Sequence, residues 1–168
     1  MVGCVYYWNF DEKIIISDVD GTVTKSDLLG HILPRFGSDW AHAGVAKLYS
    51  NIDMNGYKIL YLSSRPIGYA NTTKKYLNNI KQDDKYMMPD GPLLLSPDRM
   101  MKSIYREAII KQPHIFKIQC LKTVKNLFPL HAEPFYAGFG NRDTDAFSYK
   151  DKSVAINDGK IFIINPKG

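Results

Sequence analysis

Two rhythms of apolar residues alternate along the chain. Unbroken runs of strand length occur at residues 13–17 (KIIIS), 58–63 (KILYLS) and 135–139 (FYAGF). Between them apolar residues recur every three or four positions, the period of an amphipathic helix. The spacing predicts helices over 38–51, with Trp40, Val45 and Leu48 as the apolar face and Asn55-Gly56 as the stop, and over 67–80. Two more are predicted over 96–111, opened by Ser96-Pro97-Asp98 and closed by Pro113, and over 116–127, with Ile118, Leu121, Val124 and Phe128 at helical spacing. A short helix over 144–149 completes the set. Residues 5–8 read as a short aromatic strand, 88–96 as a turn followed by an extended stretch, and 160–164 as a last strand. Asn157-Asp158-Gly159 before that strand also suits a hairpin turn. Runs as apolar as Ile14-Ile15-Ile16 suit central strands covered on both faces, and their alternation with helices predicts an α/β domain with a largely parallel sheet.

Composition narrows this picture modestly. A chain of 168 residues is expected to form one domain, residues 1–168, and to fold without covalent staples. Its only cysteines, Cys4 and Cys120, are far apart and outside any CxxC spacing, so a reduced, cytosolic-type protein with two buried thiols is expected. The N-terminus lacks a basic segment, turns acidic at Asp11 and Glu12, and no apolar run approaches the roughly 18 residues of a membrane span. Neither a cleaved secretion signal nor an integral membrane protein is expected. A net charge of +5 favours acidic partners: a phosphate-bearing substrate, an anionic membrane surface or nucleic acid. The lysines form no dense block, so most of them read as solvated surface.

The chemistry concentrates where apolar runs end. In a parallel α/β sheet, ligands bind beyond the C-terminal strand ends. Asp18 and Asp20 follow the first central run, Ser63, Ser64 and Arg65 the second, and Asn141, Arg142, Asp143 and Asp145 the third. Side chains two apart on extended backbone point the same way, so Asp18 and Asp20 can face one small volume. Two such carboxylates repel unless a hard cation lies beside them, and oxygen-only ligands suit Mg²⁺. Gly21 permits a tight turn, and Thr22 offers a hydroxyl and an amide to a phosphate-like oxygen.

The order D-x-D-G-T after a buried strand resembles the opening motif of the haloacid dehalogenase superfamily of phosphohydrolases. That resemblance implies a Rossmann-like, three-layer fold, with Asp18 as nucleophile and Asp20 as general acid and base. Ser63 matches the second-motif hydroxyl, Lys117 the third-motif lysine with Lys111 as competitor, and Asn141 and Asp145 the fourth, acidic motif. Gly21, Ser64 and Arg65 are expected at the substrate phosphate. The implied Mg²⁺ is held by Asp18, the Asp20 carbonyl, Asp145 and Asn141. Longer strings, including ISDVDGTVTKSDLLGHILPRFG, NGYKILYLSSRPIGYA, FKIQCLKTVKNLF and EPFYAGFGNRDTDAFSY, are similar to the catalytic region of the lipin family of phosphatidate phosphatases over almost the whole chain. This implies Mg²⁺-dependent hydrolysis of phosphatidic acid to diacylglycerol and phosphate, by a cytoplasmic enzyme peripheral to the endoplasmic reticulum or nuclear envelope. Lipins carry a further N-terminal region with a membrane-binding helix, so a second chain or an additional segment is the expected source of that function.

Other readings compete less well. DVDGT alone could be a simple turn, but a calcium loop would need its glycine at the sixth position rather than the fourth. Ser63 and Ser64 could cap the following helix, Arg65 could pair with a surface carboxylate, Lys117 could be solvated, and Asp143 could cap the short helix. GFGNRD departs from a dinucleotide loop because Asp143 replaces the third glycine. Neither cysteine has an arginine six residues on, and His31, His42, His114 and His131 show no paired zinc spacing. Two alternatives to the phosphatidate phosphatase stay open: a module that binds phosphatidate without hydrolysing it, and a phosphatase for a small soluble ester. A nucleic-acid partner is not expected beside so acidic a site.

Overall fold

Ile14, Ile15 and Ile16 are buried in the middle strand of a parallel sheet, with alternate side chains serving opposite cores. The computed structural model describes residues 3–25, 40–96 and 113–165. Its strands are β1 (Ile14–Asp18), β2 (Lys58–Pro66), β3 (Lys81–Gln82), β4 (Tyr86–Met87), β5 (Leu93–Ser96), β6 (Phe135–Gly140) and β7 (Ile161–Ile163). The helices are α1 (Val45–Met54), α2 (Ala70–Asn79), α3 (Pro113–Lys125) and α4 (Asp143–Lys150). Five strands form the main sheet in the order β5-β2-β1-β6-β7, all parallel, while β3 and β4 make a small hairpin.

Two cores make three layers. Ile15, Ile59, Tyr61 and Phe139 pack against Val45 and Tyr49 of α1 and Leu77 of α2. On the other face Ile14, Ile16, Leu60 and Leu62 meet Phe116 and Leu121 of α3 and Tyr149 of α4. Each fully buried aliphatic side chain of this kind contributes about 1.5–3 kcal/mol, so the apolar runs that announced the strands also hold the layers together. The expected Rossmann-like three-layer α/β fold is the fold observed.

Several elements differ from the reading of the pattern. Residues 5–8 form no strand: Val5 and Tyr7 are exposed, and no strand among the described residues pairs with them. Cys4 is likewise exposed rather than buried, whereas Cys120 is half-buried and burial pushes its thiol up to about 11. The helix expected over 38–51 begins at Val45, after Gly44 at φ 76°, and buries Val45, Ala46 and Tyr49, while Leu48 faces outward. Gly56, at φ 87°, ends that stretch by returning its N–H to the Asp53 carbonyl at 2.8 Å. Residues 67–80 divide into a 3₁₀ turn, Ile67–Tyr69, and α2. The helix expected over 116–127 is α3, which begins at Pro113; Ser96, the expected opening of the helix before it, ends β5, and the rest of that expected helix with Lys111 lies outside the described residues. A hairpin at Asn157-Asp158-Gly159 is overturned by the parallel pairing of β7 with β6.

Candidate active site

The registers bring three strand ends together. Asp18, the last residue of β1, lies opposite Leu62, so Ser63 is one step further along β2. On the other side Ser17 pairs with Phe139, which places Gly140 and the following Asn141 beside Asp18.

Lys117 lies at the centre of the resulting cluster. It projects from α3 beneath the strand ends, and its buried ammonium donates to Asp18 Oδ1 at 2.5 Å and to Asp145 Oδ1. The second oxygen of Asp145 accepts the backbone N–H groups of Asn141 and Arg142 at 3.0 and 3.1 Å. Asp145 is thus the third residue of α4 and closes a capping box with Arg142 at the helix start. The capping function expected of Asp143 falls to Asp145 instead; Asp143 is exposed.

Close approach makes this possible. A Cβ on Gly140 would lie 2.4 Å from the Asp145 Cβ, and one on Gly138 2.5 Å from the Tyr149 ring. The two glycines of GFGN therefore let α4 rest directly on β6.

Asp20 belongs to a second knot. Ser63 Oγ donates to Asp20 Oδ2 at 2.9 Å, and Arg65 Nε to both carboxylate oxygens at 2.9 and 3.1 Å, with Nη2 also donating to Oδ1. Arg65 Nη1 reaches Thr73 Oγ1 of α2 at 3.3 Å. Gly21 turns the chain at φ 81°, its N–H bonding to Thr24 Oγ1 at 3.0 Å, and Thr22 Oγ1 lies 3.4 Å from Asp18 Oδ2. Behind Asp18, Ser17 Oγ lies 2.5 Å from the Tyr49 hydroxyl.

Of the residues predicted for the site, Asp18, Asp20, Thr22, Ser63, Arg65, Lys117 and Asp145 share this cluster of contacts, with Gly21 in its turn and Asn141 contributing its N–H at the edge. Ser64 is exposed on the opposite side of β2 from Ser63 and Arg65. Thr73 and Tyr49 were not anticipated: a threonine in a helix and a tyrosine between a leucine and a serine carry no local signal of such contacts.

The charges are unevenly matched. Three carboxylates, of Asp18, Asp20 and Asp145, face two cations, Lys117 and Arg65, leaving one negative charge in excess. Burial pushes the Asp18 carboxyl up to about 7, against the downward pull of the Lys117 ammonium. Burial opposes the charge on Lys117 too, but Asp18 and Asp145 outweigh it and hold that ammonium above the usual lysine range.

Such a donor set fits a hard divalent cation. No three His, Cys, Asp or Glu side chains form a ready-made cage among the described residues. Two carboxylates supplemented by carbonyl, amide and water oxygens are nonetheless how Mg²⁺ is commonly held, and it would offset the excess charge.

Comparison with known proteins decides the family. The family model described as LNS2 (Lipin/Ned1/Smp2) matches residues 1–168, the whole chain. The chain belongs to the LNS2 family. Its LNS2 sequence is 53% identical over 166 residues to the human phosphatidate phosphatase LPIN1, covering 99% of this chain and 18% of that protein. It is 56% identical over 164 residues to Arabidopsis thaliana phosphatidate phosphatase PAH1, covering 98% and 18%. The Saccharomyces cerevisiae phosphatidic acid phosphohydrolase 1 is 48% identical over 174 residues, covering 98% and 20%. The LNS2 chain therefore spans about a fifth of the length of these relatives. Among solved structures, that of DsGPDH of Dunaliella salina superimposes with a TM-score of 0.56 over 88% of this chain and 23% of that one, at 15% identity, a likeness of fold. The haloacid dehalogenase expectation is consistent with the LNS2 assignment.

Proposed function

We propose that this LNS2 domain is a Mg²⁺-dependent phosphatidate phosphatase, releasing phosphate and diacylglycerol from phosphatidic acid in glycerolipid synthesis. One observation carries the reading: relatives about half identical over the whole chain are named phosphatidate phosphatases. The cluster around Asp18 has the parts such a reaction requires.

Asp18 attacks phosphorus through a carboxylate oxygen, the ester bond to glycerol breaks, and Asp20 delivers a proton to the departing oxygen. Asp20 then takes a proton from water, whose oxygen attacks the aspartyl-phosphate and frees both phosphate and Asp18. Lys117 keeps Asp18 available as an anion despite its burial and lies where negative charge accumulates during transfer. Ser63 and Arg65 fix the Asp20 carboxylate, and Thr22 offers its hydroxyl to the phosphoryl oxygens from a turn at Gly21 whose own N–H is held by Thr24. Asp18, Asp145, the Asp20 carbonyl and Asn141 would hold Mg²⁺, which would supply charge neutralisation to the transferring group.

No described helix is long and apolar enough to cross a membrane. The proposed enzyme works from the cytoplasm at the surface of the endoplasmic reticulum or nuclear envelope, its positive net charge favouring anionic lipid. Phosphate release from phosphatidate-containing vesicles, with and without Mg²⁺, tests the reading. Turnover should require the metal and vanish in Asp18→Asn with the fold intact. Persistent turnover in that variant would remove Asp18 as nucleophile. Binding of phosphatidate without release by the unaltered protein would replace an enzyme with a binding module.

A further inference from the structure

We propose that an apolar groove beside Thr22 receives the carbon chains next to the phosphate ester of the substrate. The inference rests on the phosphatidate reading above and adds a specificity site to it. The groove has a volume of about 340 Å³, at the small end of ligand sites, and lies between the start of α1 and the ends of β6 and β7.

It is continuous with the phosphoryl site. Thr22 lines the groove while its Oγ1 lies 3.4 Å from Asp18 Oδ2. Tyr49 and Phe139 form part of the floor, their rings tilted with centroids 5.6 Å apart. The Tyr49 hydroxyl is engaged by Ser17, so what the floor offers a ligand is chiefly ring carbon.

Exposure follows a floor-and-lip pattern. Val45 and Tyr49 are buried, whereas Leu48 on one lip and Ile163 on the other are 40% and 43% exposed. Gly44 on the wall keeps the space clear: a Cβ there would meet nothing within 4 Å, and φ 76° disfavours any side chain. His42, a polar wall residue, has its Nε2 3.4 Å from the Gly21 carbonyl. A small polyol ester would want hydroxyl partners along such a path; an acyl chain wants the aliphatic lips that are present. Apolar walls adjoining a phosphate site match a substrate whose ester oxygen carries both a charged head and carbon chains.

Dihexanoyl phosphatidate below its micellar concentration separates chain recognition from docking on a membrane, and glycerol 3-phosphate supplies the same ester without chains. The protein should prefer the former in kcat/KM. Leu48→Glu, on an exposed lip, should reduce kcat/KM for dihexanoyl phosphatidate about tenfold more than for glycerol 3-phosphate, and Leu48→Met should restore the preference. Ile163→Glu on the opposite lip repeats the measurement should Leu48→Glu fold poorly. Turnover of phosphatidate with no dependence on its chains, or equal losses on both substrates in the variants, overturns the groove and leaves the phosphatidate reading standing. Absence of any phosphatidate turnover in the unaltered protein overturns both.

Discussion

Replacing Lys117 by methionine keeps the length of the side chain and removes the charge that lies between two buried carboxylates. In the unaltered protein its ammonium contacts Asp18 at 2.5 Å and also Asp145, and all three side chains are at most 7% exposed. Removing one partner of a buried ion pair costs about 3–5 kcal/mol, because the remaining charge is stranded away from water. The cost should depend on pH, and the sign follows from Asp18. Its carboxyl ionises at about 7 in the fold against 3.8 for an ordinary aspartate. The neutral form therefore favours folding fully below pH 3.8, and this contribution is lost as pH rises through about 7. Lys117→Met withdraws the main pull on Asp18 toward lower values and extends that loss upward. At pH 8 the variant should be less stable by about 3–5 kcal/mol. At pH 5 Asp18 is largely protonated either way, and the deficit should shrink, leaving chiefly the loss of the Lys117 contact with Asp145. Urea unfolding of the metal-free protein followed by circular dichroism at both pH values measures the difference. An equal deficit at pH 5 and pH 8 would refute pairing with Asp18 as a reason Lys117 is held. The same variant should lose about 10²–10³ in kcat on phosphatidate.

If Mg²⁺ binds through Asp18 as proposed, it would displace the proton that burial favours there, so its apparent affinity should weaken by up to about tenfold per pH unit below about 7. Calorimetric titration in buffers of different ionisation heat would register the released proton, and a constant affinity from pH 5.5 to 8 would count against Asp18 as ligand. Gly140→Ala should destabilise by about 1–3 kcal/mol, because its Cβ would lie 2.4 Å from the Asp145 Cβ and α4 must shift. Gly159→Ala, whose Cβ would come no nearer than 3.4 Å to Asn157 Oδ1, is the control, and urea midpoints compare them. Arg65→Lys keeps the charge but loses the fork that grips Asp20 and Thr73, so kcat should fall about 10²-fold with little change in Tm.

Much of this was legible along the chain. The runs at Ile14, Lys58 and Phe135 are strands because nothing polar interrupts them, and the site was visible because carboxylates and hydroxyls appear abruptly where each run stops. Other features depend on contacts remote in the chain. The aromatic residues at 5–8 have strand character, yet a strand needs a neighbour, and none of the described strands pairs there. Helical periodicity could not choose between Leu48 and Tyr49 as the buried side chain of α1; the choice follows from the hydroxyl of Ser17, 32 residues away, which meets Tyr49. Strands of two residues, β3 and β4, are too short to show any period. Arg65 was expected at the substrate phosphate; in the fold it holds Asp20 at the neighbouring strand end and also Thr73, which only the docking of α2 onto the sheet brings within reach.

Asp145 both caps the start of a helix and holds the Lys117 ammonium, whereas Asp18 is a carboxylate the fold would rather keep neutral. The two are therefore unequal under selection. A lineage that lost the need for turnover could replace Asp18 with an uncharged residue and still leave Lys117 its contact with Asp145, while losing Asp145 would unseat the first turn of α4.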